Sequence, residues 1–410
     1  MSDSNMIIAD RVRELRRRRG MTQEDLAETT SLSLAVIKKI EQGGTARMET
    51  YHQLARAFGV KTVMFVSASP PEPVERTADE VVLAEMRSAI NPPIGLNGVP
   101  LYGTADNNEV NLARLSQAVT AVATAYHDDR YDDLAGIMPA LVRSAHHHVE
   151  FFDSGREREE ALRLRADITG LTGRYLIQIR AHDLALIAMQ ASLRDALKVG
   201  DIPLAAASIA GQAKAMLRQG RFDEIEQLCV AAADEIEPRM SSATPDELCA
   251  WGYLLTYASS AASRNNRAKE AREYAVIANT AGTRLQREHE DLIGHRSFGP
   301  LTTALQMPEI EEMDNRPNKV LELAQQLPLG VGQTNPSTWN RHRLTLARAH
   351  VRLGNSDKAA EIISSIRREC PGWLRYQQHA RDTTREILAA SKRMPSEEVR
   401  LLADFMNIEG

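Results

Sequence analysis

Cysteine, aromatics and long apolar runs are all scarce in this chain of 410 residues. The three cysteines, Cys229, Cys249 and Cys370, are far apart and odd in number. They fit neither a disulfide framework nor a metal-ligand spacing, and read as reduced thiols. Phe, Trp and Tyr together make up 5% of the residues, so little material is available for a strand-built core. No apolar run approaches the ~18–20 residues of a membrane span. The first twenty residues, MSDSNMIIADRVRELRRRRG, are charged and lack a signal-peptide core. A cytoplasmic protein is therefore expected. No nucleophile elbow, P-loop or HExxH is present, and neither catalysis nor a cofactor is expected.

What is abundant is Ala, Leu, Glu and Arg, a helix-forming set. The net charge is −5, but it is unevenly placed. Residues 1–66 hold eleven Lys and Arg against eight Asp and Glu; the rest holds 39 against 47. A basic head on an acidic body points to a polyanionic partner for the head alone.

The expected fold is all-α: a five-helix N-terminal helix-turn-helix domain and a C-terminal helical-repeat solenoid. Residues 1–66 form the head. Pro70, Pro71 and Pro73 make 67–80 a stiff linker. Residues 81–410 form the body. There, LRQGRFDEIEQ, SRNNRAKEAREYA and RLGNSDKAAEII each place a tight polar turn between two helices, and KVGDIPLAAA carries a similar turn. This is the tetratricopeptide pattern of stacked helical hairpins, about 34 residues each, here in five or six copies. Ala213, Ala258, Ala271, Ala347 and Ala359 provide close approach, and Leu217, Phe222, Leu228, Tyr257 and Leu353 fill the space between helices. His146, His147 and His148 point about 100° apart on a helix, so they cannot converge on one ion. They read as a solvated or partly packed face.

The head carries the sharpest signal. Gly20 is placed to end one helix, Thr22 to cap the next with Asp25 as its capping-box partner, and Ser33 to cap a third that Gly43 and Gly44 stop. On a helical wheel, Ser33, Val36, Ile37 and Ile40 fall on the core side; Leu34, Ala35, Lys38 and Lys39 fall outward. Lysine can donate to guanine or phosphate, and Leu34 and Ala35 can touch thymine methyls.

These residues, with RRRRGMTQEDLA, IEQG and LARAFGV, closely resemble the helix-turn-helix family of phage Cro and CI repressors, the XRE family. The resemblance spans residues 7–66 and implies DNA binding; because one small head supplies modest affinity, a homodimer with two heads is expected to bind the operator. It implies that Gln23 meets phosphate, that Ser33, Leu34, Ala35 and Lys39 occupy recognition positions, and that Arg47 meets the DNA backbone. It also implies an Arg16–Glu41 salt bridge between helices one and three. Ser31 departs from the family, which usually has glycine in that turn. The whole chain resembles regulators that join such a head to a tetratricopeptide body, among them peptide-sensing quorum regulators and actinobacterial regulators of development and specialised metabolism. The runs SFGPLTTALQ and RHRLTLARAHVRLGNSDKAAEII look like the actinobacterial group, which often has asparagine and histidine where Thr302 and Gln306 stand here.

A solenoid's inner face is lined by the first helix of each hairpin. Candidates there for a signalling peptide or small effector are Arg174, Gln178, Gln212, Trp251, Tyr253, Asn279, Arg296, Trp339 and Arg343, of which Trp251 and Tyr253 read better as packing residues. The alternative is an interaction scaffold docking a partner protein, with only weak, non-specific DNA binding.

Overall fold

The computed structural model describes residues 3–19, 21–46, 48–58, 78–96, 100–101, 110–128, 130–290, 297–390, 396–406 and 408. The 67–77 part of the expected linker, the expected fifth helix of the head, Gly20, Arg47 and Arg296 lie outside these residues. The fold is all-α, and the chain divides into two compact units, Met1–Val81 and Val82–Gly410.

The first unit contains α1 (Asp3–Arg18), α2 (Gln23–Thr30), α3 (Leu34–Glu41) and α4 (Met48–Ala57). Each is short, so its stability comes from packing an apolar face rather than from propensity. Val12, Leu26, Ile37, Ile40, Leu54 and Phe58 form that shared core. Further along the chain comes α5 (Ala78–Ile90).

The second unit is built from α6 (Leu112–His127), α7 (Tyr131–Phe151), α8 (Gly155–Gln178), α9 (His182–Lys198), α10 (Ile202–Gln219), α11 (Phe222–Glu235), α12 (Pro245–Arg264) and α13 (Ala268–Leu285). After these come a two-stranded hairpin, β1 (His289–Glu290) with β2 (Ser297–Phe298), and the short α14 (Pro300–Ala304). The chain then continues through α15 (Gln306–Met313), α16 (Pro317–Gln325), α17 (Pro336–Arg352), α18 (Ser356–Glu369), α19 (Pro371–Arg375), α20 (Gln378–Ala390) and α21 (Glu397–Phe405).

One backbone device recurs at the helix–helix turns. The N–H of residues 130, 181, 201, 221, 267, 316 and 355 donates to the carbonyl five residues back, at 2.8–3.2 Å. This is the Schellman closure, which satisfies helix-end carbonyls and requires a left-handed residue just before it. Arg180, Gly200, Gly220, Asn266, Asn315 and Gly354 occupy that position at φ 57–81°. The glycines and asparagines visible as polar turns in the sequence are thus the residues that tolerate this conformation. Ala213, Ala258, Ala271, Ala347 and Ala359 are fully buried where helices meet.

Two features sharpen the sequence reading. Of the solvated and partly packed alternatives for the three histidines the packed one holds: His146 and His148 are buried and His147 half-buried, because α7 is covered by α6 and α8. Burial and the nearby Arg165 push the His146 imidazole down to about 3, so it is neutral. His148 Nε2 accepts from the Asn111 N–H at 3.0 Å, leaving Nδ1–H for the Ser144 carbonyl at 2.8 Å. The succession of helix pairs, already irregular in its sequence spacing, is broken after α13, where β1, β2 and α14 intervene. Glu288 fixes this insertion: Oε1 accepts the Leu301 and Thr302 N–H groups at 2.8 and 3.0 Å, capping α14, and Oε2 accepts the Thr302 hydroxyl at 2.6 Å.

Candidate nucleic-acid interface and body groove

In the head, the sequence places three caps, and the local geometry follows. Thr22 and Asp25 form a reciprocal capping box at the start of α2: Thr22 N–H donates to Asp25 Oδ2 at 2.8 Å, and Asp25 N–H to Thr22 Oγ at 3.1 Å. Ser33 caps α3 through the Val36 N–H at 3.4 Å. Met21 N–H donates to the Arg16 carbonyl at 3.1 Å, closing α1. Ser31 ends α2 at φ 55° and ψ 29°, a left-handed conformation that suits glycine. Ser31→Gly is therefore expected to stabilise the head by up to ~1 kcal/mol, read as slower amide exchange across residues 23–41 of the full chain. Faster exchange would show that the serine side chain contributes more than its backbone costs.

A polar clasp fixes the angle between α1 and α3. Arg16 grips Glu41 with two parallel bonds, Nε to Oε1 at 2.7 Å and Nη2 to Oε2 at 3.0 Å. Its Nη1 also donates to the Met21 carbonyl at 2.9 Å, and Arg13 donates to the Glu41 carbonyl. Gln23 adds a bond from Nε2 to Glu41 Oε2 at 2.7 Å. Burial alone would raise the Glu41 carboxyl. The bonds from Arg16 and Gln23 and the Arg16 and Arg13 charges outweigh it and hold the group below the usual carboxylate range. Arg19 is also occupied structurally: it donates to the Ala57 and Phe58 carbonyls at 3.1 and 2.7 Å, finishing α4.

Around α3, Ile37 and Ile40 are buried, while Ala35, Lys38 and Lys39 are exposed. Leu34 and Val36 are half-buried against the core edge. Ser33 is exposed, which corrects its place on the core side of the wheel: as the N-cap it stands outside the helical phase. Gly44 keeps the end of α3 tight. A Cβ there would lie 2.6 Å from Lys39 Cγ and 2.7 Å from the Lys39 carbonyl. The exposed face thus presents two lysines and a small apolar residue on a helix held rigidly from behind. Gln23 stands half-buried at the first turn of α2, where helix N–H groups favour an anion.

In the body, a groove of about 210 Å³ runs between α10, α12, α15 and α17. Of the described sequence candidates, Tyr253 borders it and the others do not. Gln212 and Gln178 are buried, and Gln178 donates to the Trp373 carbonyl at 3.3 Å. Arg174 is half-buried. Asn279 accepts from Thr303 at 2.9 Å, Trp339 lies against His342, and Arg343 is paired with Glu369 at 2.6 Å. Gln178 does border a smaller cavity of about 20 Å³, together with Lys214 and Arg341.

The groove wall is supplied by Lys214, Arg218, Tyr253, Tyr257, Arg264, Arg341 and His379, with Thr302 and Gln306. Trp251 packs in the core as expected, but Tyr253 reaches the groove and donates from its hydroxyl to the Ser297 carbonyl at 2.5 Å. The signal for this wall lies in the spacing. Lys214 and Arg218 are four apart on α10, as are Tyr253 and Tyr257 on α12, which puts each pair on one face.

The groove is electrostatically unusual. Arg264 pairs with Glu309 at 2.6 Å. Arg218 is open to the groove yet crowded by protein; burial, Arg341, Arg264 and Arg180 push its guanidinium down to about 10. Burial pushes His342 and His379 to about 4, so both are neutral near pH 7. Among the described residues no helix is long and apolar enough to cross a membrane, and no group of acidic, histidine and cysteine side chains could hold a metal.

Comparison with known proteins adds the following. No curated protein matches the chain. The solved structures that are similar, all at low identity, include the following three. The first is Bacillus thuringiensis PlcR in complex with the peptide PapR7 and DNA, at 11% identity over 78% of this chain and 94% of that one, TM-score 0.35. The second is a PrgX mutant, at 12% over 97% and 99%, TM-score 0.26. The third is the PrgX/iCF10 complex, at 12% over 98% and 97%, TM-score 0.27. Residues 7–64, which include the capped and clasped helices of the head, match the family model of a helix-turn-helix domain.

Proposed function

We propose that the chain is an XRE-type transcription regulator that binds operator DNA as a homodimer and answers to a peptide or small effector held by its tetratricopeptide-like body. The observation that carries this reading is the exposed Ala35, Lys38 and Lys39 face of α3, inside a matched helix-turn-helix domain. In this reading, residues 1–66 are the DNA head, 67–80 connect it, and 81–410 dimerise and sense. Ser33, Leu34, Ala35 and Lys39 read bases, while Gln23, Lys38 and Arg47 hold phosphates. The protein works in the cytoplasm and catalyses no reaction.

One head supplies modest affinity, so two heads on a dimer read two half-sites on one DNA face, spaced by about 10–10.5 bp or a multiple. An effector that prefers one curvature of the body changes the spacing of the heads, by as much as its affinities for the two curvatures differ.

Lys39→Ala tests the assignment of roles. In a selection of random DNA by the full-length protein, the variant is expected to lose preference at one position per half-site, by about 1–3 kcal/mol. An unchanged motif with uniformly weaker binding would move Lys39 to the phosphate class.

A further inference from the structure

The groove of the body carries more cations than its carboxylates answer. Two acidic residues line it, Glu309 and Glu312. Glu309 is taken by Arg264, and Glu312 faces Arg348 and Arg352 at 3.5 and 3.4 Å. That leaves Arg218 on α10 and Arg341 on α17 without an ion pair among the described residues; Glu309, bonded to Arg264, acts on Arg341 only through space. Lys214 stands one turn from Arg218 on the same face.

Burial and the charges of Arg341, Arg264 and Arg180 all act against the charge on Arg218. Like charges in a partly enclosed space repel, and the low dielectric around them strengthens the repulsion. The neighbouring histidines do not add to this charge, being neutral. Beside the cations, Leu217, Leu305, Met313 and Tyr257 give the groove an apolar wall. The groove is smaller than the ~300–1,000 Å³ that holds a drug-sized ligand, and suits one end of a molecule.

The geometry points to Arg218 and Arg341 as the receiving site for an anionic group, a carboxylate or a phosphate, borne on an effector whose adjoining part is apolar. The inference rests on the reading of the body as an effector sensor and specifies the chemistry of that effector. A guanidinium fork matches either oxyanion with paired hydrogen bonds, and the incoming charge relieves the repulsion between the two arginines.

The test uses the full-length protein and its thermal midpoint followed by tryptophan fluorescence, since Trp251, Trp339 and Trp373 all lie in the body. Four probes are titrated: sodium phosphate, sodium chloride at matched ionic strength, N-acetyl-leucine and N-acetyl-leucinamide. Phosphate strengthens folded proteins generally, so the response of Arg218→Gln/Arg341→Gln sets the baseline. Phosphate or N-acetyl-leucine is expected to raise the midpoint saturably above that baseline. The double substitution is expected to weaken the binding about tenfold or more. A response to phosphate alone assigns a phosphate group, and a response to N-acetyl-leucine but not its amide assigns a carboxylate. Without ligand, the double variant is expected to melt no lower than the wild type, because it removes repulsion. Equal responses in variant and wild type, no response to either anion, or a clearly lower ligand-free midpoint would each overturn the inference. No DNA enters the measurement, so its failure leaves the reading of the head intact, and failure of operator binding leaves this result intact.

Discussion

Replacing Glu41 with alanine is expected to destabilise the head by about 3–5 kcal/mol and to abolish its hold on DNA. Glu41 is 4% exposed at its side chain and Arg16 is 12% exposed. Removing the carboxylate leaves a buried guanidinium without its counter-charge, which costs far more than the pair contributes net. Gln23 loses its acceptor in the same step, so the first turn of α2 and the end of α3 loosen together. A head whose core cluster, among the described residues, holds nine buried apolar side chains has little reserve against such a loss. The check is amide exchange over residues 8–58 of the full chain, with body fluorescence as an internal control. Protection close to wild type would mean the clasp is dispensable.

The same clasp sets an acid limit. The Glu41 carboxyl is held below its ordinary value of 4.5 in the folded head. Its contribution is therefore complete above the unfolded value and is lost as pH falls through the lower, folded value. Acid is expected to open the wild-type head only below about pH 4.5, and Glu41→Gln is expected to remove that part of the pH dependence while keeping a hydrogen-bond acceptor.

Gly282→Ala is the second substitution with a large expected effect, here on the body. A Cβ at Gly282 on α13 would lie 2.4 Å from Thr303 Oγ and 2.7 Å from the Gly299 carbonyl oxygen. Thr303 cannot swing away cheaply, because its hydroxyl is bonded to Asn279 at 2.9 Å and to the Gly299 carbonyl at 2.8 Å. The backbone of α14 would have to retreat, and with it Thr302 and Leu305 on the groove wall. Overpacking of this kind costs ~1–3 kcal/mol. Tryptophan fluorescence should show a lower unfolding midpoint, and anion binding in the groove should weaken with it. An unchanged midpoint would mean that α13 and α14 separate without penalty.

How much of this was legible in the sequence depends on how local each signal is. The caps at Thr22 and Ser33, the left-handed turns at Gly220 and Gly354, and the buried alanines were readable because each is set within a few residues. The Arg16–Glu41 pair spans 25 positions and was readable only through family resemblance. Ser33 was misplaced because a wheel assigns helical phase to a residue that precedes the helix. The insertion held by Glu288 was not legible, since its bonds reach 13 and 14 residues ahead and follow no period. The groove candidates other than Tyr253 failed for a geometric reason. Arg343 faces α18 while Arg341, two residues earlier, faces the groove; Gln212 is buried while Lys214 lines it. Two residues along a helix is 200° around it, and a helix's inward phase is set by how neighbouring hairpins stack.

The most direct test of the account is selection of genomic DNA fragments by the purified full-length protein at physiological salt. The account predicts an enriched inverted repeat, with half-sites about 10–10.5 bp or a multiple apart and a preference over random DNA of ~10³-fold or more. Only salt-sensitive binding without a shared motif, with and without an anion that fills the groove, would contradict it and leave the chain a scaffold with a non-specific head.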